Sequence, residues 1–458
     1  MIDLKGKWRR VHLVGMGGAG MSAIAHVLLQ GGVVVSGSDL RESAALSALR
    51  SLGVRADVGH RAHQAEGADV VIASAAVGPE NPELELARAQ GIPIMLRGQA
   101  LASIVEGLRT VAVSGTHGKT TTSGMVATVA LHAGLDPTYL LGADLTGLGP
   151  GGRLGNGDVA IVEADEAYRS FLWLEPSTAL VTNIDRDHLE HYGSWEALND
   201  AFRLFMSRSA SGSVVCADDA HAMAVAESLN PVTYGFDPHA QFRGELIEAD
   251  AEGSTFDLIV RGEVVARVRL PVAGRHNILN ALGATAACVE LGIDLQEIVE
   301  GLGQFRGASR RFEYRGRFRG ADLVDDYAHH PAEIEATLSA ARFGPWKRVV
   351  AVFQPHLYSR TQSLWREFGT ALAMADLIVV TDVYGAREQP VPGVTGKLIV
   401  DSVCESAPGR PVAYLPRLND AARYLQDVLR PEDLVLSLGA GDITTLYDRL
   451  SGEVPARG

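Results

Sequence analysis

Short apolar runs separated by amphipathic stretches fill the first hundred residues. ValHisLeuValGly (11–15) reads as a strand, 18–30 as a helix, ValValValSer (33–36) as a second strand and 43–53 as a second helix. ValValIleAla (70–73) and ProIleMet (93–95) continue the series. Strands that alternate with helices predict a parallel sheet with crossover helices, an α/β fold. A second series starts at ThrValAlaValSer (110–114) and runs through AlaIleValGluAla (160–164) and LeuValThrAsn (180–183). Between 241 and 270 the pattern changes to short β-rich runs, which predict a small antiparallel insertion; a helix from about 276 to 291 follows. A third series begins near Arg310, with strands at 322–327, 347–353, 376–381 and 434–438. Boundaries near 103–109 and 304–309 divide the chain into residues 1–105, 106–307 and 308–458.

The length of 458 residues agrees with three domains, at about 150 residues each. With 41 basic against 55 acidic residues the net charge is −14. That excludes a nucleic-acid groove, which needs clustered surplus Lys and Arg. No apolar run reaches the roughly 20 residues that cross a bilayer. The N-terminal stretch lacks the apolar core and cleavage site of a secretory signal. Cys216, Cys288 and Cys404 are odd in number and far apart, so they predict buried small hydrophobes and no disulfide framework. The expectation is a cytoplasmic globular protein with no nucleic-acid or membrane partner.

Two glycine-rich loops carry the first chemistry. Gly15-Met16-Gly17-Gly18-Ala19-Gly20 fits GxGxxG between a predicted strand and a helix. Glycine lets the backbone approach a pyrophosphate, whose charge the helix N-terminus stabilises. Gly17, Gly18, Ala19 and Gly20 are the candidate contacts, and Asp39 lies where an acid would meet a ribose or base hydroxyl. The pattern predicts a nucleotide diphosphate without selecting NAD; a tight structural turn is the alternative.

The second loop is Gly115-Thr116-His117-Gly118-Lys119-Thr120-Thr121. A strict Walker A would have Gly where Val113 stands, but the GlyLysThr core is intact. Backbone N–H groups would wrap the phosphates, Lys119 would neutralise β and γ charge, and the Thr120 hydroxyl would ligate Mg2+. Lysine is scarce: Lys5, Lys7, Lys119, Lys347 and Lys397 are the five, and Arg supplies the other 41 − 5 = 36 basic groups. An Arg could not replace the compact ammonium here without refilling the loop.

Acids and amides follow the apolar strands. Glu163-Ala164-Asp165-Glu166 and Asp185-x-Asp187-His188 end strands of the second series, where the ligand crevice of such a sheet lies. Oxygen ligands with one imidazole suit Mg2+ on phosphates, and Glu163 and His188 are favoured over the neighbouring acids. Asn277 and Asn280 share a helix face, and could read an adenine edge or cap the helix. AspAspTyrAlaHisHisPro (325–331) and GlnProHisLeuTyrSerArg (354–360) end strands of the third series. The adjacent His329 and His330 find no third ligand at a metal-site spacing.

Taken in order with GlyMetGlyGlyAlaGlyMetSer (15–22), SerGlyThrHisGlyLysThrThrThr (114–122), ThrAsnIleAspArgAspHis (182–188), GlyArgHisAsnIleLeuAsnAla (274–281), ArgArgPheGlu (310–313) and PheGlnProHisLeuTyrSerArgThr (353–361), these motifs are very specific. Over nearly its whole length the chain resembles the Mur ligases, the amide-forming enzymes of peptidoglycan synthesis, and most of all their alanine-adding branch. The resemblance implies a Rossmann-like N-terminal domain for the UDP substrate, a central P-loop ATPase-like domain, and a Rossmann-like C-terminal domain for the amino acid. It implies that L-alanine is joined to the lactyl carboxylate of UDP-N-acetylmuramate, through an acyl phosphate made with ATP and Mg2+, two ions in all. It assigns Gly115 to Thr121 to the ATP phosphates, Thr120, Glu163 and His188 to Mg2+, Asn277 to adenine and Asp326 to the ATP ribose. It assigns Arg311 to phosphate, and His330 and Arg360 to the alanine and the reacting carboxylate. Gly17 to Gly20 would take the UDP diphosphate, with Asp39 and His60 toward uridine. A monomer or weak homodimer is expected.

The chemistry has a physical logic. Carboxylate and phosphate are both anionic, so Lys119, Mg2+ and an Arg must offset their repulsion. The amine must be deprotonated before attack, and closure of the third domain would exclude water from the acyl phosphate. The chain departs from the family at three points. It has no lysine besides Lys119 in the central region that could be carbamylated, as in other Mur ligases, which fits the alanine-adding branch. Ala167-Tyr168 stands where Ser-Asp is expected, and Leu357 where some relatives carry Arg. A ligase that adds a recycled tripeptide to the same sugar is the nearest competitor. A nicotinamide dehydrogenase and a non-catalytic UDP-sugar sensor belong to other classes.

Overall fold

The computed structural model describes residues 4–187, 189–250, 253–386 and 388–451. They form two compact units, one from residues within 1–247, 255–271 and 277–306, the other from 248–254, 272–276 and 307–458. Three sheets, parallel in most of their pairings, organise the chain as the alternating pattern predicts.

In the first unit, strands β1 (Arg10–Val14), β2 (Val34–Asp39), β3 (Arg55–Val58), β4 (Val70–Ala73) and β5 (Ile94–Leu96) pair in the order β3-β2-β1-β4-β5. Every pairing is parallel. Val11, Leu13 and Val14 of β1 are buried, as a strand covered on both faces requires. The chain turns after β1 into the helix Ala19–Gln30. The order reverses direction beside β1, the kind of point where open sheets bind ligands.

The second sheet runs β15-β14-β13-β12-β11-β10-β6-β9-β7-β8. Its strands are β6 (Arg109–Ser114), β7 (Thr138–Leu140), β8 (Gly152–Arg153), β9 (Val159–Glu163), β10 (Thr178–Val181), β11 (Ser213–Cys216), β12 (Val232–Gly235), β13 (Phe242–Asp250), β14 (Gly253–Val260) and β15 (Glu263–Leu270). The β-rich stretch 241–270 supplies β13, β14 and β15, consecutive neighbours at one end of this sheet. Tyr234 and Gly235 of β12 pair in parallel with Phe242 and Arg243 of β13, so the β-rich runs extend the main sheet. Arg261 and Gly262, both at positive φ, make the tight turn between β14 and β15.

The two sheets of this unit share one apolar core, which takes in Leu13, Ile24 and Leu101 together with Val162, Phe171 and Phe205. The helix Ala19–Gln30 forms the seam. A Cβ on Gly152 would collide with the carbonyl oxygen of Ala23, and the Leu154 N–H donates to Gln30 Oε1 at 2.7 Å.

In the second unit, β16 (Glu313–Phe318), β17 (Ala321–Asp326), β18 (Arg348–Phe353), β19 (Leu377–Val380), β20 (Val412–Tyr414) and β21 (Asp433–Leu438) pair in the order β16-β17-β21-β18-β19-β20. Only the β16–β17 edge is antiparallel. Separate apolar layers cover its two faces, one around Phe353 and Phe368 and one around Val352 and Tyr447.

Cys216 and Cys288 are buried, but Cys404 is exposed, on the helix Lys397–Ser406 whose buried face is Ile399, Ser402 and Val403. Among the described residues no helix is long and apolar enough to cross a membrane. Gly152→Ala should loosen the seam because the opposing atom is backbone and cannot rotate away. We expect a loss of about 2 kcal/mol and a fall of several degrees in the calorimetric midpoint; an unchanged midpoint would refute this tight packing.

Candidate active site

The first glycine loop leaves β1 with Gly15 at φ +82 and enters its helix at Gly18, whose side of the helix has no side-chain cap. The leading N–H groups of that helix are thus left for another acceptor. Asp39, at the end of β2, braces the loop: its Oδ2 accepts the Gly17 N–H at 2.9 Å. His60 follows β3 and is held from below. Its Nδ1 lies 2.9 Å from Ser38 Oγ and 3.0 Å from Glu83 Oε1. Glu83 is fully buried, accepts the Ser38 hydroxyl at 2.7 Å and lies 2.9 Å from Nε2 of the buried His12. Burial pushes the Glu83 carboxyl up, but hydrogen bonds from His12 and Ser38, the charge of His12 and the bond from His60 outweigh it and hold the group below its ordinary range.

The second loop is built the same way. Gly118 adopts φ +81 at the head of the helix Lys119–His132, again without a side-chain cap. The segment after β10 clamps it. Asn183 Oδ1 accepts the His117 N–H at 2.8 Å, Thr182 Oγ1 donates to the His117 carbonyl at 2.6 Å, and Thr116 Oγ1 accepts the Asp185 N–H at 2.8 Å. Thr120 and Thr121 are buried in the first turn. Asn280 lies against Gly118, with Oδ1 2.6 Å from where a Cβ would stand, and its Nδ2 donates to Asn277 Oδ1 at 3.5 Å. The helix Arg275–Glu290 starts before either Asn, so neither is its cap residue.

Lys119 Nζ lies 2.8 Å from Glu166 Oε2 and donates to the Gly115 carbonyl at 2.6 Å. Burial alone would lower its pKa, but Glu166, Asp165 and Glu163 together raise it, so the ammonium is fully charged at neutral pH. Of the acid run, Glu163 ends β9 and accepts the Gly142 N–H at 2.9 Å. Asp165 Oδ2 accepts from Arg97 Nη2 at 2.7 Å. A small cavity in this unit is lined by Gly20, Arg97, Leu140, Gly142 and Glu163. His188 lies outside the described residues. The sequence pattern does not single out Arg97, nor the pairing of Asp165 and Glu166 with cations.

The second unit gathers its own group at the ends of β17 and β18. Asp326 accepts the Phe312 N–H at 2.7 Å and the Ala328 N–H at 2.8 Å. Burial pushes its pKa up to about 6, against the charge of Arg311 and those two N–H groups. Arg311 lies 3.8 Å from Glu333 and stacks over Tyr327. His330 heads the helix Pro331–Ala341, with its N–H on Glu333 at 3.2 Å. Arg360 stands in the helix Tyr358–Leu372, close enough to act electrostatically on Tyr327. Leu357 precedes that helix at φ +70 and donates its N–H to the Tyr384 carbonyl at 3.0 Å.

Two glycine-rich loops within one unit each open a helix with no side-chain cap, the kind of backbone end that receives an anion. The Mur ligase family catalytic domain matches residues 10–109, the Mur ligase middle domain 113–288, and the Mur ligase glutamate ligase domain 310–441. A UDP-N-acetylmuramate–L-alanine ligase of Desulforamulus reducens is 43% identical over 452 residues, covering 97% of this chain and 98% of that one. One from Solidesulfovibrio magneticus is 45% identical over 446 residues, covering 96% and 97%. The crystal structure of the UDP-N-acetylmuramate-alanine ligase MurC of Thermotoga maritima has a TM-score of 0.85 at 32% identity, covering 97% of this chain and 98% of that one. The chain belongs to the Mur ligase family.

The Glu83 network gives a stability test with a defined sign. Because its folded pKa is depressed, its contribution is complete above the ordinary carboxyl pKa of about 4.3 and is lost as pH falls through the folded value. Glu83→Gln should cost about 3 kcal/mol at pH 7 by removing the buried negative charge that faces the His12 imidazole. In thermal melts the gap to the parent chain should close below about pH 4. A gap independent of pH would contradict the assignment.

Proposed function

We propose that this chain is a UDP-N-acetylmuramate:L-alanine ligase of peptidoglycan precursor synthesis, working in the cytoplasm. The observation that carries the reading is the pair of phosphate loops in a single unit, one supplied with Lys119 and the other facing an Asp39-braced crevice. Relatives similar along the whole chain and bearing that name support it.

ATP lies with its phosphates over Gly115 to Thr121. Lys119 exchanges Glu166 for phosphate oxygens, and this charge reduces the repulsion that a carboxylate meets at the γ-phosphate. The Gly17–Gly20 loop takes the UDP diphosphate, with Asp39 and His60 toward the nucleoside. The lactyl carboxylate attacks the γ-phosphate and ADP leaves. The alanine amine, as the free base, then attacks the acyl carbon and expels phosphate. Asn277 meets adenine and Asp326 the ATP ribose; Arg311, His330 and Arg360 serve the phosphate, the alanine and the carboxylate.

The residues present fit Mg2+. Thr120 and Glu163 offer hard oxygens, and a Cβ on Gly142 would fill the space against the Glu163 carboxylate. Glu163 Oε2 accepts the Gly142 N–H, which leaves Oε1 for a cation. Mg2+ held by Thr120 and Glu163, with His188 the further ligand that the family resemblance implies, would supply charge neutralisation on the transferred phosphoryl group.

Phosphate release should require ATP, Mg2+, UDP-N-acetylmuramate and L-alanine together. Release with the tripeptide L-alanyl-D-glutamyl-diaminopimelate and none with alanine would contradict the acceptor and favour the recycling ligase. Lys119→Ala should lower the rate about a hundredfold or more. Activity should rise from pH 7 toward pH 9, because the amine of L-alanine must lose its proton before it attacks; a maximum near pH 6 would oppose free-amine attack.

A further inference from the structure

Arg97 has no role in the reading above, yet it stands at the first phosphate loop. It is the first residue of the helix Arg97–Val105. A Cβ on Gly20 would collide with its Nη1, so the guanidinium lies over the third glycine of the GxGxxG loop. That glycine is commonly explained by packing of helix on strand. Here the atoms it makes room for belong to a cation.

Only one of the guanidinium donors is in use. Nη2 donates to Asp165 Oδ2 at 2.7 Å, and among the described residues Nε and Nη1 have no hydrogen-bond partner. Asp165 is fixed in turn, since its Oδ1 accepts the Ala167 N–H at 3.2 Å. The side chain is only 26% exposed, so its charge acts where water screens it little. It also lines the small cavity that holds Gly20 and Glu163.

We propose that Arg97 binds the diphosphate of the nucleotide-sugar substrate, aimed by Asp165 so that Nη1 and Nε reach the anion held by the Gly17–Gly20 loop. This rests on the UDP-sugar reading of that loop. A guanidinium presents its N–H groups in a fixed fork that matches phosphate oxygens, which an ammonium does not. The loop alone offers backbone N–H groups and no charge; Arg97 adds the formal positive charge. A diphosphate is favoured over the lactyl carboxylate because Nη1 lies against Gly20 of the glycine loop.

The test is calorimetric titration of the full chain, separately with UDP-N-acetylmuramate, UDP and ATP, for the parent, Arg97→Ala and Arg97→Lys. In the parent, failure to bind either uridine ligand would overturn the underlying reading of the loop. Given binding, Arg97→Ala should weaken both uridine ligands tenfold or more and leave ATP within twofold. Arg97→Lys should recover part of the loss, and it keeps a cation for Asp165 should the alanine variant fold poorly. Uridine-ligand affinities unchanged in both variants would overturn the proposal. So would a loss confined to UDP-N-acetylmuramate with UDP unaffected, because that pattern assigns Arg97 to the carboxylate.

Discussion

The charge balance around the run Glu163-Ala164-Asp165-Glu166 governs the candidate site. Three carboxylates within four residues end a buried strand, and each is satisfied differently. Lys119 takes Glu166, Arg97 takes Asp165, and the Gly142 backbone takes Glu163. At a separation of 4 Å two unit charges interact by about 4 kcal/mol when the effective dielectric is near 20. Acids packed this closely therefore fix where cations must stand. Lys119 belongs to the second loop and Arg97 lies against the first, so the acids set where positive charge stands beside each loop.

Positioning of that charge depends on backbone more than on side-chain packing. The Lys119 loop is clamped by Thr182 and Asn183 through the His117 peptide, so the segment after β10 shapes the loop. The first loop is tied to β2 through Asp39. The seam helix Ala19–Gln30 then fixes the first loop relative to the second sheet, where Gly152 allows backbone-to-backbone approach. A reaction between two bound anions gains most from such pre-set geometry, because the repulsion is offset before they meet.

Much of this was legible in the sequence, and the losses have physical causes. β1, β6, β9 and β10 were found within a residue or two because they are buried on both faces and read as unbroken apolar runs. β3, ArgAlaAspVal, was missed because it alternates exposure and carries two charges in four residues. The join of β13 to β12 was not foreseen, because the sequence gives no sign that Tyr234 pairs with Phe242 across the intervening turn. The glycine loops were legible because their chemistry is local. Arg97 was not, because its meaning arises only when the helix after β5 is set beside a loop 77 residues earlier. Asp39 stood out by position and His60 only through the family resemblance, but the buried Glu83, Ser38 and His12 that hold His60 share no local pattern.

In the proposed reaction the lactyl carboxylate itself attacks the γ-phosphate. The most direct test of this step is oxygen transfer from UDP-N-acetylmuramate labelled with 18O in that carboxylate. Incubated with ATP, Mg2+ and L-alanine, the enzyme should release phosphate carrying one 18O atom for each amide formed. Phosphate free of label, with the amide made at the same rate, would contradict an acyl phosphate and require another route of activation.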